Sequence, residues 1–350
     1  MDDRRILEKY PLPIARGYRR CRNAAEARER HDAAYYLFEI YLKFAASIAI
    51  AHYLAGEGRD HRVNAALKGL ARPSLGEWLR FLRECLGFLA AGQRPEPAIA
   101  AMAGLFEKKE PHSKPLIGLY NELRALRTGE RSERDKLSLS MLFEEVVGYR
   151  NRVLGHGAPP PKEHFQRFGD FFGAAFGDLL DASPYLTARR LVIFDSLQIE
   201  GRSRIECGVV EYMSDRPIRR EKPHIIAYGK DAPEKQALYL LAEDGGLVSL
   251  EPLLIAHDED VYILNTDFRI PLTVKNQKPS RAESGAREAR PFSLTAFGRC
   301  GGRPHTADLD GFPLSYLKTR SSGASSSHGI LRGRFAQGTE RRMGLCARRG

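Results

Sequence analysis

From about residue 23 to residue 183 the apolar positions recur with the 3.6-residue period of helices that bury one face. The longest run, 24–56, places Tyr35, Leu37, Phe38, Ile40, Tyr41, Phe44, Ile48 and Tyr53 on one wide apolar surface. Ahead of it, Tyr10-Pro11-Leu12-Pro13-Ile14 predicts an extended lead-in, because paired prolines exclude a helix interior. A short helix is predicted over 61–70. Ser74 then caps a helix over 75–90, and Glu77 completes a capping box. Trp78, Phe81, Leu82 and Leu86 give that helix its buried face. Further helices are predicted over 95–106, 114–126, 132–154 and 162–180, with Gly155, Gly157 and Pro159-Pro160-Pro161 separating the last two. Long helices joined by short breaks predict an antiparallel helical bundle at 8–185.

The rhythm changes after Ser183-Pro184. Short β-rich runs at 191–199, 205–212, 223–228, 237–241, 247–250 and 261–265 are separated by turn residues, and Asp244-Gly245-Gly246 is a hairpin signal. They predict a small antiparallel β domain at 186–276. The fold class is therefore mainly α, a bundle followed by a small β domain and a tail over 277–350. Arg, Gly and Ser make up 31 of the 70 residues in 281–350, with lysine only at Lys318. That composition predicts disorder. An arginine-rich RNA-binding tail and a stretch of GC-rich DNA read in the wrong frame both fit it.

The tail changes the meaning of the net charge. Of the total of +11, residues 281–350 contribute 13 Lys+Arg against 5 Asp+Glu, so residues 1–280 carry only +3. Basicity is thus a weak argument for a nucleic-acid groove in the folded part. The five cysteines are widely spaced and never form C-x-x-C, which argues against a disulfide framework or a cysteine zinc site. The opening Met1-Asp2-Asp3-Arg4-Arg5 has no apolar run behind it, and the apolar stretch 44–54 is too short to span a bilayer. A cytoplasmic location without a membrane partner is expected.

The candidate chemistry lies in Tyr149-Arg150-Asn151-Arg152-Val153-Leu154-Gly155-His156-Gly157. Metal-free RNA cleavage needs a base for the 2′-hydroxyl and a cation for the charge on phosphate. His156 suits the first role and Arg150 the second, with Asn151 able to orient either partner. The same residues also make an ordinary basic helix end with a glycine stop. Regular helix geometry leaves Arg150 and His156 about 120° apart around the axis. Gly155 lets the chain turn back before the imidazole. His31, His52 and His61 show no ligand spacing, and Glu144-Glu145 reads as a solvated or salt-bridged face. No phosphate-cradling glycine loop, metal motif or nucleophile elbow is present, so no cofactor or metal site is expected.

Arg150 and His156, separated by five residues with polar Asn151 after the arginine, resemble the signature of the HEPN superfamily. Arg152 leaves only three residues before His156 and does not fit that spacing. Together with Tyr10-Pro11-Leu12-Pro13-Ile14-Ala15, Leu238 through Gly245 and Leu247 through Leu254, the motif resembles an N-terminal module of bacterial multidomain signalling proteins over about residues 8–270. The resemblance implies a homodimer with motif helices face to face and metal-free RNA cleavage leaving a cyclic phosphate. It also implies that many members only bind. The reading taken from it is an interaction or sensor module of a signalling or defence protein that dimerises through 132–157, with RNA or a protein effector as partner. Its alternative is a metal-independent endoribonuclease using Arg150, Asn151 and His156.

Overall fold

Proline marks the entry to the fold. The computed structural model describes residues 2–263 apart from 72, 131–133, 155–159, 201–203, 228–231 and 258. Helix α1 (Asp3–Lys9) starts where the Asp2 side chain accepts the Arg4 amide, and α2 (Leu12–Asn23) follows directly. The extended lead-in predicted for 10–14 is thus a helix start. Pro11 is the N-cap residue and Pro13 lies in the first turn, where the missing N–H costs nothing.

Nine α-helices stand among the described residues. After α2 the chain breaks at Ala24, and α3 (Ala27–Ala55) runs for 29 residues through the middle of the helical part. Around it come α4 (His61–Leu67), α5 (Leu75–Ala90), α6 (Pro97–Glu107), α7 (Lys114–Thr128), α8 (Leu139–Tyr149) and α9 (Lys162–Asp181). Helices α2, α5 and α9 pack along α3. The predicted capping box of α5 is present, with Ser74 accepting from the Glu77 amide and Glu77 from the Ser74 amide. By length and composition α3 could cross a membrane, which the apolar stretch 44–54 alone did not suggest. Its most apolar window is 89% buried inside the fold, as expected for the core helix of a globular unit.

The helix predicted over 132–154 is shorter than its pattern. A two-residue ladder pairs β1 (Glu110–Pro111) with β2 (Lys136–Leu137), and Ser138 caps α8 by accepting the Met141 amide. Residues 150–154 then continue as a π-turn.

The β part follows. Strands β3 (Arg190–Glu200), β4 (Arg204–Glu211), β5 (Ile218–Arg219), β6 (His224–Ala227), β7 (Leu238–Leu241) and β8 (Leu247–Ser249) form an antiparallel sheet in the order β5-β4-β3-β7-β8, with β6 also on β4. The Asp244-Gly245-Gly246 turn joins β7 to β8 as predicted, with Gly245 at a left-handed φ of 85°. Strands β9 (Leu254–His257) and β10 (Asp260–Ile263) make a separate hairpin. Alternate residues of β3 serve two sides: Leu191 and Ile193 join the helical core, Val192 and Phe194 a second cluster with Ile205, Val209 and Tyr239. The helical core runs on without a break to Leu238, Leu254 and Ile263, so the helical and β parts share it. The tail expected over 277–350 lies outside the described residues.

Candidate functional site

Polar residues recur every fourth position down the most buried helix. His31, Tyr35, Glu39, Lys43 and Ser47 form a row of i,i+4 neighbours that winds around α3, and all five are buried. An unpaired buried polar group costs about 1–3 kcal/mol, and of the five only Tyr35, at Oη, lacks a hydrogen-bond partner among the described residues. Lys43 Nζ donates to Glu39 Oε1 at 2.6 Å, and Ser47 Oγ donates to the Lys43 carbonyl at 2.8 Å. Burial, followed by the neighbouring Glu39 carboxylate, pushes the Tyr35 phenol well above its usual range, while the Arg150 charge pulls it down.

At the N-terminal end of this stripe stands a chain of hydrogen bonds. His31 Nδ1 lies 2.8 Å from Asp32 Oδ1, and His31 Nε2 lies 2.6 Å from Tyr149 Oη. Tyr149 Oη in turn lies 3.0 Å from His164 Nε2 on α9. The Tyr149 and His164 rings are stacked with an interplanar angle of 3°, and Phe168 covers His164 at 4.5 Å between centroids. Burial is the first cause that holds both imidazoles below the usual histidine range. Asp32 opposes that shift at His31, whereas His31 and Arg167 add to it at His164. Burial also lifts the Tyr149 phenol above its range. All three rings are therefore neutral near pH 7.

Tyr149 is the last residue of α8, and the motif begins directly after it. Arg150 and Asn151 are exposed on the π-turn. Such turns are often found at functional positions. The two arginines of the motif have separate fates. Arg152 Nη1 donates to the carbonyls of Leu126 and Arg127, at 2.8 and 2.7 Å, and so caps the last turn of α7. The Arg150 side chain makes no hydrogen bond or ion pair among the described residues, and its charge is felt at Tyr35 and at exposed Tyr36. His156, Gly155 and Gly157 lie outside the described residues.

No family model, curated protein or solved structure matches the chain. The site's meaning therefore rests on its own geometry.

The Glu144-Glu145 pair forms ion pairs. Glu145, 4% exposed, receives both Nε and Nη2 of Arg127 at 2.6 and 2.8 Å, with Arg124 at 3.8 Å, while exposed Glu144 pairs with Arg83. Most apolar residues of α8 face inward; Glu144 is exposed, as is Asn151 just beyond the helix, whereas a Cβ at half-buried Gly148 would sit 3.3 Å from Arg127 Cδ. Among the described residues no group of His, Cys, Asp and Glu has the arrangement of a metal site. Two cavities of about 560 and 470 Å³ open on the sheet, and neither takes in a residue of the constellation around Tyr149.

The sequence singled out Arg150 and Asn151, which stand exposed on the π-turn, and took Tyr149 only as a core residue, while Asp32, Glu39, Lys43 and His164 drew no attention. The available signal was the fourfold spacing from His31 to Ser47 inside an otherwise apolar run. Searching the histidines for metal-ligand spacing looked past it.

Proposed function

We propose that the end of α8 and the segment after it are the working surface of an HEPN-like module. In this reading the chain is an interaction or sensor unit of a bacterial signalling or defence protein, acting in the cytoplasm. Arg150 and Asn151 meet the phosphate of an RNA partner. Two copies associate through 132–157, their contact centred on exposed Glu144 and Asn151. One observation carries the reading: Arg152 is committed to capping α7, while Arg150 is held at the surface with its guanidinium uncommitted. The folded unit has no structural need for a free arginine there, whereas a phosphate does. The buried free thiols of Cys21, Cys85 and Cys207 accord with a reducing compartment.

A second reading, a metal-independent endoribonuclease, is favoured by the ordered imidazole–phenol chain beneath the motif. In it His156 takes the 2′-hydroxyl proton and Arg150 stabilises the charge on phosphorus, so cleavage survives EDTA and leaves a 2′,3′-cyclic end. Incubating the full chain with mixed RNA in EDTA separates the readings. RNA retained intact but dependent on Arg150 supports the binding module, and cyclic-phosphate products absent from His156→Ala support the nuclease. RNA association and cleavage both unchanged in Arg150→Ala would sink both.

A further inference from the structure

The motif segment leaves one helix and enters another, and the two ends meet. Tyr149 closes α8 immediately before Arg150, and His164 lies in the first turn of α9. Their Oη–Nε2 contact of 3.0 Å ties the end of α8 to the first turn of α9. The junction is anchored on α3 through His31, which is fully buried. Gly169 lets α9 come this close: a Cβ there would sit 3.3 Å from both the backbone nitrogen and the Cα of His31.

The hydrogens of this chain can be assigned from one end. A carboxylate only accepts, so His31 donates Nδ1–H to Asp32. In a neutral ring His31 Nε2 is then the acceptor, and Tyr149 must donate its hydroxyl hydrogen to it. Tyr149 oxygen is left to accept Nε2–H from His164. Every group has one role, all hydrogens run in the same sense, and chains of this kind reinforce each other. The His164 ring is thereby held in one tautomer and one orientation.

We infer that the chain Asp32–His31–Tyr149–His164 is the device that positions residues 150–154, by tying the end of α8 and the first turn of α9 to α3. It rests on the reading that this segment is the working surface, but it makes a claim about order that can be measured without any ligand. Tyr149, His31 and His164 act as positioning residues, presenting Arg150 and Asn151 in a fixed place. The bland alternative is that the hydroxyl merely satisfies buried nitrogens while packing holds the segment. Tyr149→Phe separates the two, since it keeps the ring, its stacking on His164 and its contacts with Phe168 and Phe172.

The test is amide hydrogen exchange on the full chain, read for 150–154 and 162–166 against α5 as internal reference. Tyr149→Phe is expected to accelerate exchange at least tenfold in both stretches and to leave α5 unchanged. His164→Gln, whose amide can still donate to Tyr149, is expected to retain protection that His164→Leu loses. RNA association measured on the same proteins should weaken in step with lost protection. Unchanged exchange in Tyr149→Phe, or equal loss in the Gln and Leu variants, overturns the positioning inference whatever RNA does. Accelerated exchange in a protein whose wild type ignores RNA upholds the lock and overturns the reading of the surface.

Discussion

At Glu145 the two halves of one ion pair differ in what their loss costs. The carboxylate is 4% exposed and the Arg127 side chain 46%. Arg127→Ala strands a buried charge with only Arg124 at 3.8 Å and is expected to cost about 2–3 kcal/mol. Glu145→Gln leaves an arginine that water can solvate and is expected to cost about 1 kcal/mol. Urea denaturation of both variants checks this, and a reversed order would show that the pair is not organised by its buried member. Buried imidazoles give the pH behaviour. His52 is pushed down to about 4, by burial first and then by Arg189, and His31 and His164 are lowered for the same primary reason. As pH falls the unfolded chain takes up these protons first, from about 6.5 downward. Their stabilisation is therefore complete above about 6.5 and is lost as pH falls towards 4. The melting temperature should drop between pH 7.5 and 5, with a shallower slope in His52→Gln. A flat profile would contradict the burial of these rings. At this scale the sequence separated Arg150 from Arg152 only through the spacing of the signature it resembles, and gave no sign that Arg152 caps α7. It could not reveal that Tyr149 bridges two histidines, because residues 31, 149 and 164 meet only through folding.

Among elements, the approach of α9 to the start of α3 is set by a glycine. Gly169→Ala places a methyl against the His31 backbone, which cannot rotate away as a side chain could. It is expected to cost about 1–3 kcal/mol and to loosen the imidazole chain. Calorimetry together with the exchange protection of 162–166 reads both effects, and a neutral Gly169→Ala would mean that α3 and α9 are not tightly seated there. Helices whose caps are local, such as α5 with Ser74 and Glu77, were legible from sequence. The start of α8 was not. Its amphipathic period runs through Leu137, but Leu137 pairs with Glu110 across a ladder that no local pattern announces. The prolines near residue 12 misled for a related reason, since Pro13 excludes a helix interior but favours its first turn. Strands β5 and β9 went unpredicted; β5 has only two residues and β9 lies outside the main sheet.

For the whole molecule, the passage from helix to strand near residue 185 was legible from the change of period, whereas the core shared across it was not. Periodicity shows which face an element buries and leaves open what covers it. Association belongs to this scale too. The proposed two-fold contact predicts a dimer in sedimentation at tens of micromolar, weakened by Asn151→Arg, which sets like charges against each other across the axis; a monomer at that concentration contradicts it. The central claim, that Arg150 works on phosphate while Arg152 holds the fold, is tested most directly by RNA association of the full chain in EDTA. Wild type is measured beside Arg150→Ala and Arg152→Ala, with the basic tail common to all three. The account predicts that Arg150→Ala weakens RNA association roughly tenfold to a hundredfold at an unchanged melting temperature, the loss of one charge-assisted contact. Arg152→Ala should instead lower the melting temperature more than it weakens RNA association. Equal RNA association in wild type and Arg150→Ala, or the larger loss in Arg152→Ala, would contradict the account.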